Sequence, residues 1–259
     1  MTDPDDDDMM TEDAWRKFRG YPDYLLARIP DGPVRTDRKL ILYVCACCQR
    51  VRALFPSDDF RAVIDWAEEQ VDRWPQGVLT DFKGKEVLYH DQIENLVSGW
   101  QQDTVAYRLA WAARHLSIMV WVDNGYAGHI GIPDLIEEAV WLHHCGKSNT
   151  PSVAQSFVRV YIDLPPGAQA ERDAQCEFVR DIFGPLPFRP VIVDPSWLTP
   201  TVLSLAEGIY ADHAFDRLPI LADALQDAGC NNDDILSHCR SDGPHVRGCW
   251  VVDLILAKQ

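Results

Sequence analysis

The sequence lacks the long apolar runs and the positive charge with which proteins bind membranes and nucleic acids. No apolar run approaches the roughly 20 residues that are needed to cross a bilayer. Lysine and arginine number 24 against 40 acidic residues, which gives a formal net charge of −16. Since nucleic acids and anionic lipids are bound chiefly by basic side chains that neutralise phosphates, we predict that the protein binds neither.

The motifs of the common enzyme classes are also missing. The chain has no Walker phosphate-binding loop, no Gly-x-Gly-x-x-Gly, no Gly-x-Ser-x-Gly and no His-Glu-x-x-His. Its first residues, MTDPDDDDMM, lack the basic and apolar regions of a signal peptide, so we expect a cytoplasmic protein. In that reducing compartment the eight cysteines are expected to be thiols or metal ligands and not disulfides.

What is present is a chain of ordinary globular composition, with 47% apolar residues. Apolar residues recur at spacings of three and four, which predicts an all-α fold in the form of an irregular multi-helix array. At most one short strand is expected, at 190–193. Residues 1–10 are interpreted as a disordered acidic tail. The proline-rich stretch 164–167 is interpreted as the boundary between a helical lobe at 11–165 and another at 168–259, which form either two domains or one.

Capping residues and helix-breaking prolines predict where individual helices begin and end. Thr11 and Ser57 are expected to act as N-caps, and Pro56 to stop the helix before it. Helices are predicted to start near residue 36 and to cover 104–122, 134–145, 152–162, 200–210, 215–228, 233–240 and 246–257.

Five strings in the chain resemble a large family of uncharacterised planctomycete proteins. They are RKLILYVCACCQR at 38–50, RDIFG at 180–184, FRPV at 188–191, AFDRLPILADALQDAGC at 214–230 and HCRSDGPHVRGCWVVDLIL at 238–256. The resemblance implies a bacterial, cytosolic, helical protein. It assigns no activity and no catalytic residue to this chain.

The last of these strings crowds two histidines and two cysteines around a Ser-Asp-Gly-Pro turn. The predicted last helix brings His245 and Cys249, four residues apart, onto one face. Together with Cys239, and with Cys230 or His238 as a fourth ligand, they would form the nitrogen and sulfur set that zinc prefers. The sequence therefore contains a candidate zinc site.

Two other interpretations of the same string remain open. Cys249 lies in register with Val252, so the thiol can pack as a small apolar side chain, which is the interpretation we favour. Alternatively, Cys249 is a catalytic nucleophile activated by His245, with Asp253 or Asp242 orienting the imidazole.

The remaining cysteine and histidine clusters are expected to be structural. CACC at 45–48 lies within a continuous helical pattern, so its thiols are predicted to pack at a helix crossing. HHC at 143–145 ends a predicted helix, where histidines favour the negative end of the helix dipole.

These observations favour a non-enzymatic helical scaffold or interaction protein without a cofactor. Its acidic surface and nine tryptophans suit the binding of another protein, and a basic partner would complement the charge. The alternative is a zinc protein or a thiol-dependent enzyme centred on Cys230, Cys239, His245 and Cys249.

Overall fold

Helices account for the secondary structure of the chain wherever the structure describes it. The computed structural model describes residues 10–30, 34–72, 98, 105–106, 109–113 and 166–258. Among these residues there is no strand or sheet, and the prediction of an all-α fold is confirmed. The helices are α1 (Glu12–Lys17), α2 (Pro22–Leu26), α3 (Asp37–Arg50), α4 (Asp58–Gln70), α5 (Pro166–Phe183), α6 (Pro200–Asp212), α7 (Leu218–Asp227), α8 (Asp233–Cys239) and α9 (Trp250–Ile255), with 3-10 turns at Arg52–Leu54, Pro195–Trp197 and Phe215–Arg217.

The stretch considered for a short strand, residues 190–193, has no regular secondary structure. Pro190 has no backbone N–H to donate to a neighbouring strand, and the surrounding segment contains three further prolines. No helix in the described part of the chain is both long and apolar enough to cross a bilayer.

Several sequence predictions fall outside the described residues. Within the helix predicted at 104–122, residues 105–106 and 109–113 are helical, and the rest is not described. The predictions that lie outside are the acidic tail at 1–9, the helices at 134–145 and 152–162, and the HHC cluster at 143–145.

The chain divides into two compact units. One contains residues 1–39 and 176–259 and is called the terminal unit; the other contains residues 40–175 and is called the central unit. The two boundaries between the units lie within helices, one in α3 and the other in α5. The units differ from the lobes expected on either side of 164–167, because the first 39 residues group with the C-terminal helices.

Contacts of α1 explain why the N-terminal segment belongs to the terminal unit. Thr11 caps α1 as predicted, its hydroxyl accepting from the Ala14 N–H at 3.2 Å. Trp15, 1% exposed, packs edge-on against the ring of Phe188 at 5.5 Å between centroids. Arg180 of α5 donates to the carbonyl oxygen of Trp15 at 3.0 Å. These contacts join α1 to the C-terminal part of the chain.

In the central unit, α3 carries the CACC cluster. Cys45, Cys47 and Cys48 are fully buried. Burial raises the pKa of Cys47 and Cys48, so these thiols are protonated at neutral pH. Their position agrees with the packing role predicted for them.

The core of the terminal unit is built mainly by the four C-terminal helices. Leu218, Leu221 and Leu225 recur along α7 at helical spacing and are fully buried. Cys230, Cys239 and Cys249 lie in the same apolar cluster, with Ile235, Trp250, Val251 and Val252.

The cap of α8 fixes the start of a helix that carries His238. The Asn232 side-chain oxygen accepts from the N–H groups of Asp234 and Ile235, at 3.0 and 3.2 Å. Ser57 also occupies an N-cap position, before α4, but its side chain makes no capping hydrogen bond.

Asn232→Ala is therefore expected to lower the free energy of unfolding by about 1 kcal/mol. Ser57→Ala, the matched control, removes no capping bond and is expected to cost less than about 0.5 kcal/mol. Urea unfolding of both variants measures the difference. If both variants lost the same free energy of unfolding, the assignment of Asn232 as a cap and of Ser57 as a residue without a capping bond would be contradicted.

Candidate metal centre

The site is formed by side chains of three segments in the terminal unit. Asp181 lies in the last turn of α5, His238 lies near the end of α8, and His245 and Cys249 belong to the loop that joins α8 to α9. One donor atom from each of these four residues lies within 4.8 Å of all the others.

Asp181 is the central group of the cluster. Its Oδ1 atom lies 2.7 Å from His245 Nδ1 and 3.1 Å from His238 Nε2. Its Oδ2 atom accepts from the backbone N–H of Val246 at 2.8 Å. The carboxylate, 3% exposed, thus connects the end of α5 with α8 and with the following loop.

His238 contacts both the thiol of Cys249 and the carboxylate of Asp181. Its Nε2 atom lies 3.2 Å from Cys249 Sγ. The imidazole packs against the rings of His245 and Trp250, with centroid separations of 4.8 and 5.1 Å. These aromatic contacts restrict the ring and direct Nε2 towards the other donors.

The loop from residue 240 to 249 folds back on itself through local hydrogen bonds. Ser241 Oγ donates to the carbonyl oxygen of His238 at 2.7 Å. His245 Nε2 lies 3.2 Å from the carbonyl oxygen of Ser241. Gly248 has a φ of 95°, a conformation that favours glycine, and this turn delivers Cys249 to the N-cap position of α9.

The last helix therefore begins at Trp250, and the prediction that it begins near residue 246 is wrong. His245 and Cys249 do not share a helix face, because both precede α9. The positive φ of Gly248 prevents the helix from extending further towards the N-terminus. The loop brings the two side chains together instead.

The electrostatics of the cluster follow from its burial and its hydrogen bonds. Burial opposes ionisation of Asp181, but hydrogen bonds from His238 and His245 outweigh it and lower the pKa of the carboxyl group. Burial likewise disfavours the charged form of His245, yet Asp181 raises the pKa of this imidazole. For Cys249, burial and the charge of Asp181 both raise the pKa well above its usual value.

The predicted catalytic role of Cys249 does not agree with these observations. The thiol is fully buried and is protonated at neutral pH, whereas a nucleophilic cysteine needs access and a lowered pKa. Of the predicted orienting residues, Asp253 instead binds Arg38, and Asp242 is exposed. The residue that orients His245 is Asp181.

The structure brings together part of the predicted ligand set. His245, Cys249 and the alternative ligand His238 do come together, but Cys230 and Cys239 are not members of the cluster. Both pack in the apolar core, where burial raises the pKa of Cys239 to about 12.

Asp181 is a member of the cluster that sequence reasoning missed. It lies in RDIFG, where Arg180 precedes it and the fully buried residues Ile182 and Phe183 follow it. A carboxylate beside core residues of a helix lies close to the core, and a buried charge requires a partner. This pattern is the signal in the sequence that points to Asp181.

Gly184, which follows Asp181 by three residues, provides a test of the local geometry. Its φ is +54°, and a Cβ built on it would lie 2.6 Å from the Trp250 ring. Gly184→Ala is expected to lower the free energy of unfolding by about 2–3 kcal/mol, from backbone strain and overpacking.

Gly208→Ala is the matched control, because Gly208 lies inside α6 and a Cβ there meets nothing within 4 Å. It is expected to raise the free energy of unfolding by about 0.5–1 kcal/mol. Thermal and urea unfolding measure both changes. A Gly184→Ala variant as stable as the wild type would refute the close approach to Trp250.

Comparison of this chain with protein-family models, with curated proteins and with solved structures finds no match. The resemblance to a planctomycete family stays a prediction.

Proposed function

We propose that the protein is a non-enzymatic helical protein that binds one zinc ion through Asp181, His238, His245 and Cys249. The observation that carries this proposal is the convergence of four donor atoms, two nitrogens, one oxygen and one sulfur, within 4.8 Å of one another. Zinc takes these three donor types in tetrahedral sites.

Two of the separations between the donors are close to those that zinc requires, and all of them are within 4.8 Å. Zinc–ligand bonds of about 2.0–2.3 Å at tetrahedral angles place neighbouring donors about 3.3–3.7 Å apart. His238 Nε2 lies 3.2 Å from Cys249 Sγ and 3.1 Å from Asp181 Oδ1. The closest pair, His245 Nδ1 and Asp181 Oδ1 at 2.7 Å, would need to open by about 0.7 Å.

The groups around the donors also suit a metal site. Metal-bound histidines usually donate their second ring N–H to a carbonyl or carboxylate, and ligating carboxylates are themselves hydrogen-bonded. His245 has the carbonyl oxygen of Ser241 3.2 Å from its Nε2 atom. Asp181 accepts from the N–H of Val246 through the oxygen that faces away from the histidines. Both contacts would fix the orientation of a ligand.

Four protein ligands favour a structural role for the ion. A catalytic zinc usually has three protein ligands and keeps a fourth position for water or substrate. The four donors proposed here fill the tetrahedral shell and come from α5, α8 and the loop before α9. The ion would therefore tie the end of α5 to α8 and the loop that follows α8, with 64 residues between Asp181 and His245.

Cobalt(II) titration tests the proposed donor set directly. A tetrahedral site with a thiolate ligand is expected to give visible d–d bands and a thiolate-to-cobalt charge-transfer band, and zinc should displace both. A titration that gives only the weak spectrum of hydrated cobalt(II) would contradict the proposal.

The affinity for zinc is expected to rise with pH. Burial raises the pKa of Cys249, so the ion must displace the thiol proton when it binds. One displaced proton corresponds to about a tenfold gain in affinity per pH unit below that pKa. Competition with a chelator of known affinity at pH 6, 7 and 8 measures the slope. An affinity that does not change over this range would exclude Cys249 as a thiolate ligand.

The predicted role in binding another protein, possibly a basic one, is compatible with a structural zinc and stays a prediction. The net charge of −16 is its support. Pull-down from lysate at low and physiological salt tests it.

A further inference from the structure

A second feature of the terminal unit is lined in part by Trp250, the residue against which His238 packs. It is a cavity of about 340 Å³, within the usual size range of small-molecule sites. Most of its lining is apolar and comes from the segment after α5 and from α9; it includes Leu186, Pro187, Phe188, Val191 and Leu254.

Lys39, from the first turn of α3, forms part of the cavity wall and is only 4% exposed. Its ammonium group lies 5.7 Å from the centroid of the Phe183 ring. Within the described residues, no carboxylate or other acceptor lies within hydrogen-bonding distance of Lys39 Nζ. Asp253 is the nearby carboxylate, and both of its oxygens are bound by Arg38, so two buried cations share one negative charge. Uncompensated buried charge is costly, so this position favours an anion supplied from outside the chain.

The other charged groups of the cavity are already engaged. Asp253, the one carboxylate of the lining, is held by Arg38 through both of its oxygens, at 2.6 and 3.2 Å. Arg189 binds Glu12 and Asp234. Lys258 lies over the ring of Tyr210 at 4.4 Å. The lining thus carries three basic residues and one acidic residue, in a chain that is otherwise strongly acidic.

We propose that this cavity binds a small organic acid, with its carboxylate on the Lys39 ammonium group and its apolar body against Leu186, Phe188 and Leu254. A medium-chain fatty acid has this chemistry. Desolvation lowers the pKa of Lys39, and the charge of Arg38 lowers it further, while Asp253 partly opposes them. A bound carboxylate would favour the charged amine. None of the proposed zinc ligands lines the cavity.

Isothermal titration of the full chain with decanoate, 1-decanol and decylamine tests the proposal. The wild type is expected to bind decanoate at least tenfold more tightly than 1-decanol or decylammonium. Lys39→Met, which keeps the length of the side chain and removes its charge, should abolish the preference for decanoate. Lys17→Met, at a lysine whose side chain is 74% exposed, is the matched control and should keep it.

Failure of the wild type to bind decanoate, or equal affinities for decanoate and decylammonium, would overturn the proposal without the use of any variant. A preference for decanoate that persists in Lys39→Met would also overturn it, and would assign the carboxylate to another group such as the proposed zinc. Circular dichroism of Lys39→Met confirms that the variant is folded.

Discussion

Replacement of His245 or Cys249 by alanine is expected to weaken zinc binding by at least about 100-fold, more than is usual for residues that only support a ligand. Both side chains would contribute a donor atom directly to the ion. Isothermal titration with zinc, in competition with a chelator, measures the loss. Asp181→Asn retains the shape of the side chain and is expected to weaken binding as well, because the carboxylate charge is removed.

The same variants should lose the stabilisation that zinc provides. An ion that binds only the folded state adds about 4 kcal/mol at a concentration 1,000-fold above its dissociation constant. Zinc is therefore expected to raise the melting temperature of the wild type and to leave that of Cys249→Ala nearly unchanged.

Cys230→Ala and Cys239→Ala are the matched controls, since both cysteines are buried in the same unit but lie outside the cluster. They should bind zinc as the wild type does. If Cys230→Ala or Cys239→Ala lost zinc while Cys249→Ala retained it, the ligand set predicted from the sequence would be correct and the one proposed from the structure would be wrong.

Asp253→Leu is expected to lower the free energy of unfolding by about 3–5 kcal/mol, the usual cost of breaking a buried ion pair. Asp253 and Arg38 are 2% and 6% exposed, and Arg38 also donates to the hydroxyl oxygen of Tyr210 at 2.8 Å. Without the carboxylate, Arg38 and the neighbouring Lys39 would remain as buried cations. Urea unfolding measures the loss.

Two controls separate the buried charge from other effects. Arg38→Met combined with Asp253→Leu removes both charges and should recover most of the lost stability, because apolar replacements of a buried pair are often tolerated. Asp13→Ala breaks an exposed pair with Lys17 and should cost less than about 1 kcal/mol. Equal losses for Asp13→Ala and Asp253→Leu would contradict the account of the ion pair.

The helices could be predicted because their determinants are local. Apolar spacing predicted helices at the positions of α3 and α7, and Thr11 acts as the cap that its position indicated. Pro200 lies in the first turn of α6, where its missing N–H is tolerated. The start of α9 was misplaced because apolar spacing does not show the backbone conformation of Gly248.

The site could be predicted only in part because its geometry depends on packing between distant segments. His245 and Cys249 are near neighbours in sequence, and their residue types were sufficient to predict them as metal ligands. Asp181 lies 64 residues before His245, and the ion pair of Arg38 with Asp253 spans 215 residues. The packing of the first turn of α3 and the last turn of α5 against the C-terminal loop and helix decides which carboxylate pairs with which basic side chain.

The metal content of the full chain, expressed without a metal-affinity tag and purified in buffers treated to remove trace metals, tests the central claim most directly. Elemental analysis of the wild type is expected to find one zinc ion per chain, and Cys249→Ala purified in parallel should contain almost none. A wild-type protein that is folded, binds no stoichiometric metal and takes up none when zinc is added would contradict the assignment of Asp181, His238, His245 and Cys249 as a zinc site.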